Sequence, residues 1–382
     1  MRYTIGQLAE IIDGDRGKNY PKQDEFYPQG YCLFLNTGNV TKEGLIFEEN
    51  QFIMKEKDEA LRKGKLKRGD IVYTTRGTVG NAGYYNSSVP YENIRINSGM
   101  VILRSNGEIV DARFLYQILK SEYYRPYFKQ YCTGSAQPQL PIKNFSQIYL
   151  NVPDIKTQHR IADILSAYDD LIENNQKQIK LLEEAAQRLY KEWFVDLRFP
   201  GHKNTKIVDG VPEGWSRGLL KELISVNYGK DHKKAPDDGN IPVYGSGGLM
   251  RKCNKSLFSG EAVLIPRKGS LNNIMYVDET FWTVDTMFYA TMKQPHTAIF
   301  VYFFVKAFDM YSMNIGAAVP SMTTKILDAM DVVIPDKETL EKFDKYAKVY
   351  FNKIKTLQGQ NERLKTARDL LLPKLMSGEV EV

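Results

Sequence analysis

The same unit is written twice in this chain, at a fixed spacing. Gly134-Ser135-Ala136-Gln137-Pro138 returns as Gly316-Ala317-Ala318-Val319-Pro320, and Val152-Pro153-Asp154 returns as Ile334-Pro335-Asp336, both after a step of 182 residues. Thr157 and Thr339 stand at the same step, and each opens a heptad-patterned stretch. A match without gaps over that distance requires two folding units of the same plan, in the order module, helix, module, helix. Two β-rich modules held apart by helices suit the reading of a two-part ligand better than the turnover of one substrate.

The helices are read from apolar spacing. Ile161, Leu165, Tyr168, Ile172, Ile179, Leu182, Ala186, Leu189 and Trp193 follow alternating steps of three and four, with Asn175 in the one gap. Leu340, Phe343, Ala347, Tyr350, Ile354, Leu357, Leu364 and Leu371 keep the same rhythm, interrupted by Asn361 and Arg368. The spacing predicts helices over 157 to about 195 and 339 to about 372, each roughly 50 to 60 Å long at ~1.5 Å per residue. The first must deliver the chain to the second module and the second follows that module directly, so an antiparallel coiled coil is expected. Its seam brings Asn175 close to Asn361, a polar pair of the kind that fixes register at a cost in stability. Tyr190, Phe194 and Phe351 are read as lying on the outer faces.

The modules are read as strands and turns, giving an α+β fold with a pseudo-twofold internal repeat. The expected segments are 1–156, 157–199, 200–338 and 339–382. Gly69-Asp70-Ile71-Val72-Tyr73-Thr74-Thr75-Arg76-Gly77 is a β-branched, aromatic strand closed by a glycine turn, and 260–269, ending Pro266-Arg267-Lys268-Gly269, is its counterpart. Arg76 and Arg267, near the strand ends, stand where a backbone approaches a phosphate or base edge. Other candidates for nucleic-acid contact are the basic stretch Arg62, Lys63, Lys65, Lys67 and Arg68, then Gln137, the trio Lys230, Lys233 and Lys234, Lys268, and Tyr244 and Ser246 of a glycine-rich loop. Each cluster alone is more often a solvated face; recurrence at matching places in both modules is what raises the case for contact.

Charge and chemistry narrow the function. The net charge of +6 divides as +4, −2, +1 and +3 over the four segments, less than a free-standing DNA binder usually carries. The most apolar stretch, 298–305, is too short to span a bilayer and no signal-peptide core opens the chain, so a cytosolic protein is expected. Cys32, Cys132 and Cys253 are far apart, which speaks against a disulfide framework or structural zinc and for buried thiols. No phosphate-cradling Gly-x-x-x-x-Gly-Lys loop, base-methylation segment, Gly-x-Ser-x-Gly elbow or Glu-x-Lys nuclease tripeptide is present, and the four histidines are scattered. Neither Asp154-Ile155-Lys156 nor Asp231-His232-Lys233 follows a Pro-Asp at a distance that suits a nuclease site, and the first sits at a helix start where Asp and Thr are ordinary capping chemistry. No metal or catalytic residue is therefore assigned.

Several runs carry a family resemblance. Gln158-His159-Arg160-Ile161-Ala162-Asp163-Ile164-Leu165-Ser166 with Trp193-Phe194-Val195-Asp196 resembles the central helix of the specificity subunit of type I restriction-modification enzymes. Pro212-Glu213-Gly214-Trp215 resembles the opening of that family's second target-recognition domain, and residues 368–379 resemble its C-terminal tail. The first module opens at Tyr3-Thr4-Ile5-Gly6 without a Pro-Glu-Gly-Trp, and Leu340-Glu341-Lys342-Phe343 lacks the Gln-His-Arg of the first helix. The resemblance implies a non-catalytic subunit with two target-recognition domains, each reading half of a bipartite site on double-stranded DNA, with the coiled coil setting the gap. It further implies two methyltransferase subunits and restriction/translocase subunits as partners, which would use S-adenosylmethionine, ATP and Mg; no cofactor is implied for this chain. A two-headed protein-binding adaptor, or a nuclease or methyltransferase in its own right, are the rival readings.

Overall fold

The computed structural model describes residues 1–134, 137–313 and 321–381, and of Lys234 the backbone alone. The chain divides into two compact units, Met1–Asn175 with Gly359–Val382, and Gln176–Gln358. Each unit thus contains one module and a half of both long helices.

In the first unit, the fully buried strand Ile71–Thr74 lies inside an antiparallel sheet ordered Ala9–Asp13, Met100–Ser105, Ile71–Thr74, Ala82–Tyr84. Alternation along its apolar run divides two cores. Ile71 and Tyr73 face the cluster containing Phe114, Phe145 and Ile161, whereas Val72 faces the cluster of Leu33, Leu35, Ile94 and Ile96. The first face is covered by the helix Ala112–Lys120 and the second by a three-stranded sheet of Phe52–Ile53, Cys32–Leu35 and Ile94–Ile96. Tyr73 stacks on Phe145 with ring centres 4.9 Å apart, and losing a buried aromatic of this kind costs about 3 to 5 kcal/mol.

The second unit repeats the scheme with a larger sheet, ordered Ile224–Tyr228, Met287–Met292, Phe258–Pro266, Met275–Thr283, Ile241–Gly245, Gly248–Cys253. Val263 and Ile265 face one core, and Ala262 and Leu264 the other. The helix Ala298–Lys306 is apolar all round because it is buried, with Ile299, Phe300, Val301 and Phe303 all in the first of these cores. Among the described residues no helix is long and apolar enough to cross a membrane.

The repeat read from the sequence extends through the hydrogen bonds. The Thr4 amide donates to Gln7 Oε1 at 2.8 Å and that of Leu219 to Glu222 Oε1 at 2.8 Å. Ile5 N donates to the Ile148 carbonyl, and Leu220 N to that of Met330. Asp154 accepts from the amide and hydroxyl of Thr157, at 3.1 and 2.7 Å, and Asp336 accepts from those of Thr339, at 2.9 and 2.7 Å. Asp154 is therefore a helix cap, as is Asp231, which accepts from the Lys233 amide at 3.0 Å. In the second module the Trp215 indole also donates to Asp336 at 2.9 Å. Ser135 and Ala136 and the matching stretch Gly316-Ala317-Ala318-Val319-Pro320 lie outside the described residues.

The long helices run Ile155–Tyr190, continued by a π turn over Lys191–Val195, and Lys337–Ser377. The second passes through Pro373 and ends before Gly378, whose φ of +77° is a left-handed stop, so it outlasts the expected end near residue 372. Their pairing is antiparallel. In the first unit Asn175 meets Asn361 and Asp169 meets Arg368, and in the second Tyr190 and Trp193 pack on Phe343.

The seam is less regular than the heptads imply. Ile172, Ile354 and Leu357 are buried, whereas Ile179, Leu182, Leu189, Tyr350, Leu364 and Leu371 are half-buried. Ile161 and Leu165 belong to the core of the first module, and Leu372 and Leu375 enter that same core with Leu371 packed against it. Tyr190, Phe194 and Phe351, expected outside, pack against the second module's core instead. Each of these helix segments has a module on one side as well as a partner helix, a constraint that heptad spacing does not encode.

Candidate nucleic-acid interface

The strand-end turns are built alike in the two units. In the first, the amides of Thr75 and Arg76 both donate to the Gly99 carbonyl, at 2.9 and 3.1 Å, and the Thr75 carbonyl accepts from Leu140 N at 2.9 Å. In the second, the amides of Arg267 and Lys268 both donate to the Thr286 carbonyl, at 2.8 and 3.2 Å, and the Arg267 carbonyl accepts from Met322 N at 2.9 Å. Gly77 and Gly269 follow with φ of +71° and +85°, a left-handed turn that glycine makes without strain. The pairing of Arg76 with Arg267 is therefore displaced by one residue: Arg76 corresponds to Lys268, and Arg267 to Thr75.

Around the first turn the structure gathers part of what the sequence singled out. Thr133 and Gln139 bridge through hydrogen bonds of 2.7 and 2.9 Å, and Leu140 carries that loop to Thr75, so exposed Gln137 and exposed Arg76 sit on tied loops. The basic stretch divides by role. Lys65 Nζ contacts Asp58 at 2.5 Å, and Arg95 joins the same carboxylate at 2.5 Å while donating to the Lys63 carbonyl at 2.7 Å. Burial opposes ionisation of Asp58, but hydrogen bonds from Lys65 and Arg95 outweigh it and hold the carboxyl below its ordinary range. Arg68 stacks over Tyr85, 4.2 Å from the ring centre, and donates to the carbonyls of Asn86, Val89 and Tyr91. Lys65 and Arg68 thus brace the fold, a role the sequence reading did not assign. Lys63 and Lys67 are exposed, as is Arg62 beside Asp15.

The second turn collects Ser246, Lys230 and Arg267 through the backbone. Asn273 Nδ2 donates to the Ser246 carbonyl at 2.8 Å, Val284 N to that of Tyr244 at 3.0 Å, and Lys230 N to that of Thr283 at 2.9 Å. Tyr244 itself is turned to other use: its hydroxyl donates to Glu279 at 2.5 Å, and burial, then that carboxylate, push the phenol up. Lys230, Lys233 and Lys268 are exposed, and the Lys234 side chain lies outside the described residues. The sequence reading missed Arg16, whose guanidinium reaches the Ser98 carbonyl at 3.2 Å, next to Gly99. An isolated arginine gives no sequence signal for that placement.

Among the described residues no three His, Cys, Asp or Glu side chains gather as a metal site. Cys32 and Cys253 are buried and Cys132 half-buried, all as free thiols, and burial pushes the Cys32 thiol up to about 12. The helix-start motif is structural at Gln158, which donates to the Ile109 and Pro153 carbonyls at 2.9 Å and accepts from Asp111 N at 3.0 Å. Leu340 fills the matching place as a buried apolar residue, so the second helix start needs no glutamine.

Comparison with known proteins agrees with this architecture. Residues 1–184 and 212–366 match the family profile described as the type I restriction modification DNA specificity domain. The chain is 24% identical over 473 aligned positions to the Haemophilus influenzae protein named type I restriction enzyme HindI specificity subunit, covering 98% of this chain and 100% of the relative. It is 25% identical to the Methanocaldococcus jannaschii protein named type I restriction enzyme MjaIX specificity subunit, over 85% of this chain and 81% of that one. Among solved structures, the fold resembles the type I restriction-modification S subunit from M. genitalium, with a TM-score of 0.58, 18% identity and coverage of 98% and 95% of the two chains.

Proposed function

The chain belongs to the type I restriction modification DNA specificity domain family, and from that membership we propose that it is the non-catalytic subunit that reads DNA for a type I restriction-modification complex. Each module reads one half of a bipartite target with its strand-end turn. The helical pair sets the gap between the halves, and the two modules act as pseudo-twofold copies. The observation that carries this reading is the doubled turn, in which the same backbone hydrogen bonds present a cation before a left-handed glycine once per module. Two such turns in one chain suit a duplex that offers the same backbone twice.

The partners in this reading are double-stranded DNA, two methyltransferase subunits and restriction/translocase subunits. Those partners use S-adenosylmethionine, ATP and Mg, and this chain holds none of them. The modest charge fits a complex in which other subunits share phosphate neutralisation. Apolar residues left outward on the long helices, Ile164 and Leu171 in the first unit and Leu181, Tyr346 and Val349 in the second, supply faces for the methyltransferase subunits.

The test is reconstitution with the methyltransferase subunits followed by mapping of methylated adenines across a genome. A bipartite motif with a fixed gap, methylated only when this chain is present, is the expected result. Assembly without sequence-specific, salt-dependent DNA binding would favour a protein-binding adaptor, and cleavage or methylation by this chain alone would overturn the non-catalytic assignment.

A further inference from the structure

Each module holds a guanidinium in the same place, although the two arginines come from different points of the repeat. In the first unit Arg16 Nη2 donates to the Ser98 carbonyl at 3.2 Å and to Asp13 Oδ1 at 3.2 Å. In the second unit Arg267 Nη1 donates to the Asp285 carbonyl at 3.2 Å, and the guanidinium carbon stands 5.6 Å from the centre of the Tyr228 ring. The strand registers make these supports equivalent. Asp13 is the partner of Val101 and Tyr228 of Phe288, while Val101 pairs with Tyr73 and Phe288 with Ile265 on the strand that runs into each turn. Counting back along those partners, Gly99 corresponds to Thr286 and Ser98 to Asp285.

A pair of glycines sets the geometry. Gly14 and Gly229 follow Asp13 and Tyr228 directly, and a Cβ on either would overlap the carbonyl of Asn97 or of Val284, again equivalent residues. Absence of a side chain lets the strand end close on the turn. The next carbonyl, Ser98 or Asp285, then lies where a guanidinium can reach it.

We propose that Arg16 and Arg267 are equivalent seats for a DNA backbone phosphate, one in each module. The proposal rests on the DNA-reading function given above. The two halves of a bipartite target differ in their bases, whereas the sugar-phosphate backbone is common to both. A positive group kept in one place by different residues on different supports answers to the shared part of the ligand. The hydrogen bonds described engage one terminal nitrogen of each guanidinium, and the five-donor fork has further N–H groups for phosphate oxygens. Arg76 and Lys268, before the left-handed glycines, stand next to the same turns as second cations.

The seats differ in strength. Arg16 faces the carboxylate of Asp13, which competes with a phosphate, whereas Arg267 faces a neutral ring. Salt dependence therefore draws more on Arg267 than on Arg16, and removing the Asp13 charge frees the first seat.

The experiment uses the complex with its methyltransferase subunits and measures affinity for target and unrelated duplexes over a salt series. Arg267→Gln, which retains a hydrogen-bonding side chain without the charge, lowers the slope of log affinity on log salt by about one, and Arg16→Gln lowers it by less. Both weaken target and unrelated DNA by the same factor and leave the methylated sequence unchanged, while Asp13→Asn tightens binding to both. Altered bases in the methylated motif would make these arginines base readers and overturn the proposal. So would unchanged slopes in both arginine variants together with a silent Asp13→Asn. An unaltered complex that binds no DNA would instead overturn the DNA-reading function itself, and the seats with it.

Discussion

Asn175 donates through Nδ2 to Oδ1 of Asn361 at 2.9 Å, with both side chains buried between the two long helices. Removing one member leaves the other amide buried and unpaired, so Asn361→Ala is expected to lower stability by about 1 to 3 kcal/mol. Replacing both by leucine is expected to recover much of that loss while relaxing register. Urea unfolding of the three variants checks the order, and a double variant no more stable than Asn361→Ala would contradict it.

Asp169 anchors a second polar joint in the same unit, meeting Arg368 at 2.7 Å, Lys120 at 2.7 Å and Gln117 at 2.6 Å. Asp169→Ala leaves half-buried Lys120 without its carboxylate and Arg368 with Asp369 alone, and is expected to cost about 3 kcal/mol, the low end for breaking a buried pair. Burial opposes ionisation of Asp169, but the charge and hydrogen bond of Lys120, with Gln117 and Arg368, outweigh it and hold the carboxyl below its ordinary value. A carboxyl with a folded pKa below its unfolded value of about 3.9 stabilises the fold above that pH, and the contribution is lost as pH falls through the folded pKa. Unfolding measured from pH 6 downward is therefore expected to show a loss of stability below about pH 4 that is flatter in Asp169→Asn. Parallel curves for the two proteins would count against it.

The helical pair offers a direct test of gap setting. Four residues inserted after Gln176, with a matching four after Gln358, add ~6 Å of paired helix, equivalent to between one and two base pairs at ~3.4 Å each. Methylation mapping is expected to show a longer gap between unchanged half-sites. A motif with its original gap would assign the spacing to another part of the assembly.

Val349 and Leu181 are 65% and 64% exposed on the helix segments of the second unit. Val349→Asp and Leu181→Asp are expected to leave unfolding within about 0.5 kcal/mol of the parent. If these residues contact the methyltransferase, each loses roughly 1.5 to 3 kcal/mol of binding, at least tenfold in affinity. Light scattering of the mixture should then show loss of the complex with two methyltransferase subunits. Retention of that mass by both variants would place the contact elsewhere.

The parts of the fold legible in the sequence were those set by local chemistry. Asp154 and Asp336 announce their helix starts because a cap needs only the next three residues, and the seam foretold the Asn175 and Asn361 pair because helical spacing is periodic. The strand-end turns were found but aligned one residue off, since matching Arg76 to Arg267 follows side-chain identity. Their true alignment is fixed by Gly99 and Thr286, far away in the chain. Arg16 was invisible for the same reason: its place depends on Ser98, 82 residues on. Tyr190, Phe194 and Phe351 were placed outward because a heptad describes one neighbouring helix and says nothing of a module packed on the far side.

The division of the chain also bears on the order in which its parts fold during synthesis. The unit Gln176–Gln358 is one continuous stretch, whereas the other joins Met1–Asn175 to Gly359–Val382, and Leu372 and Leu375 belong to the same core as Ile5 and Phe114. On the ribosome the middle of the protein can therefore complete its core while the beginning, though made first, still waits for residues 359–382 to emerge. Folding from the N-terminus forward, the usual course for successive domains, is then expected to finish in the reverse order. Pulse proteolysis of chains stalled near residue 358, after allowance for the exit tunnel, should find the second unit protected and the first module open to cleavage.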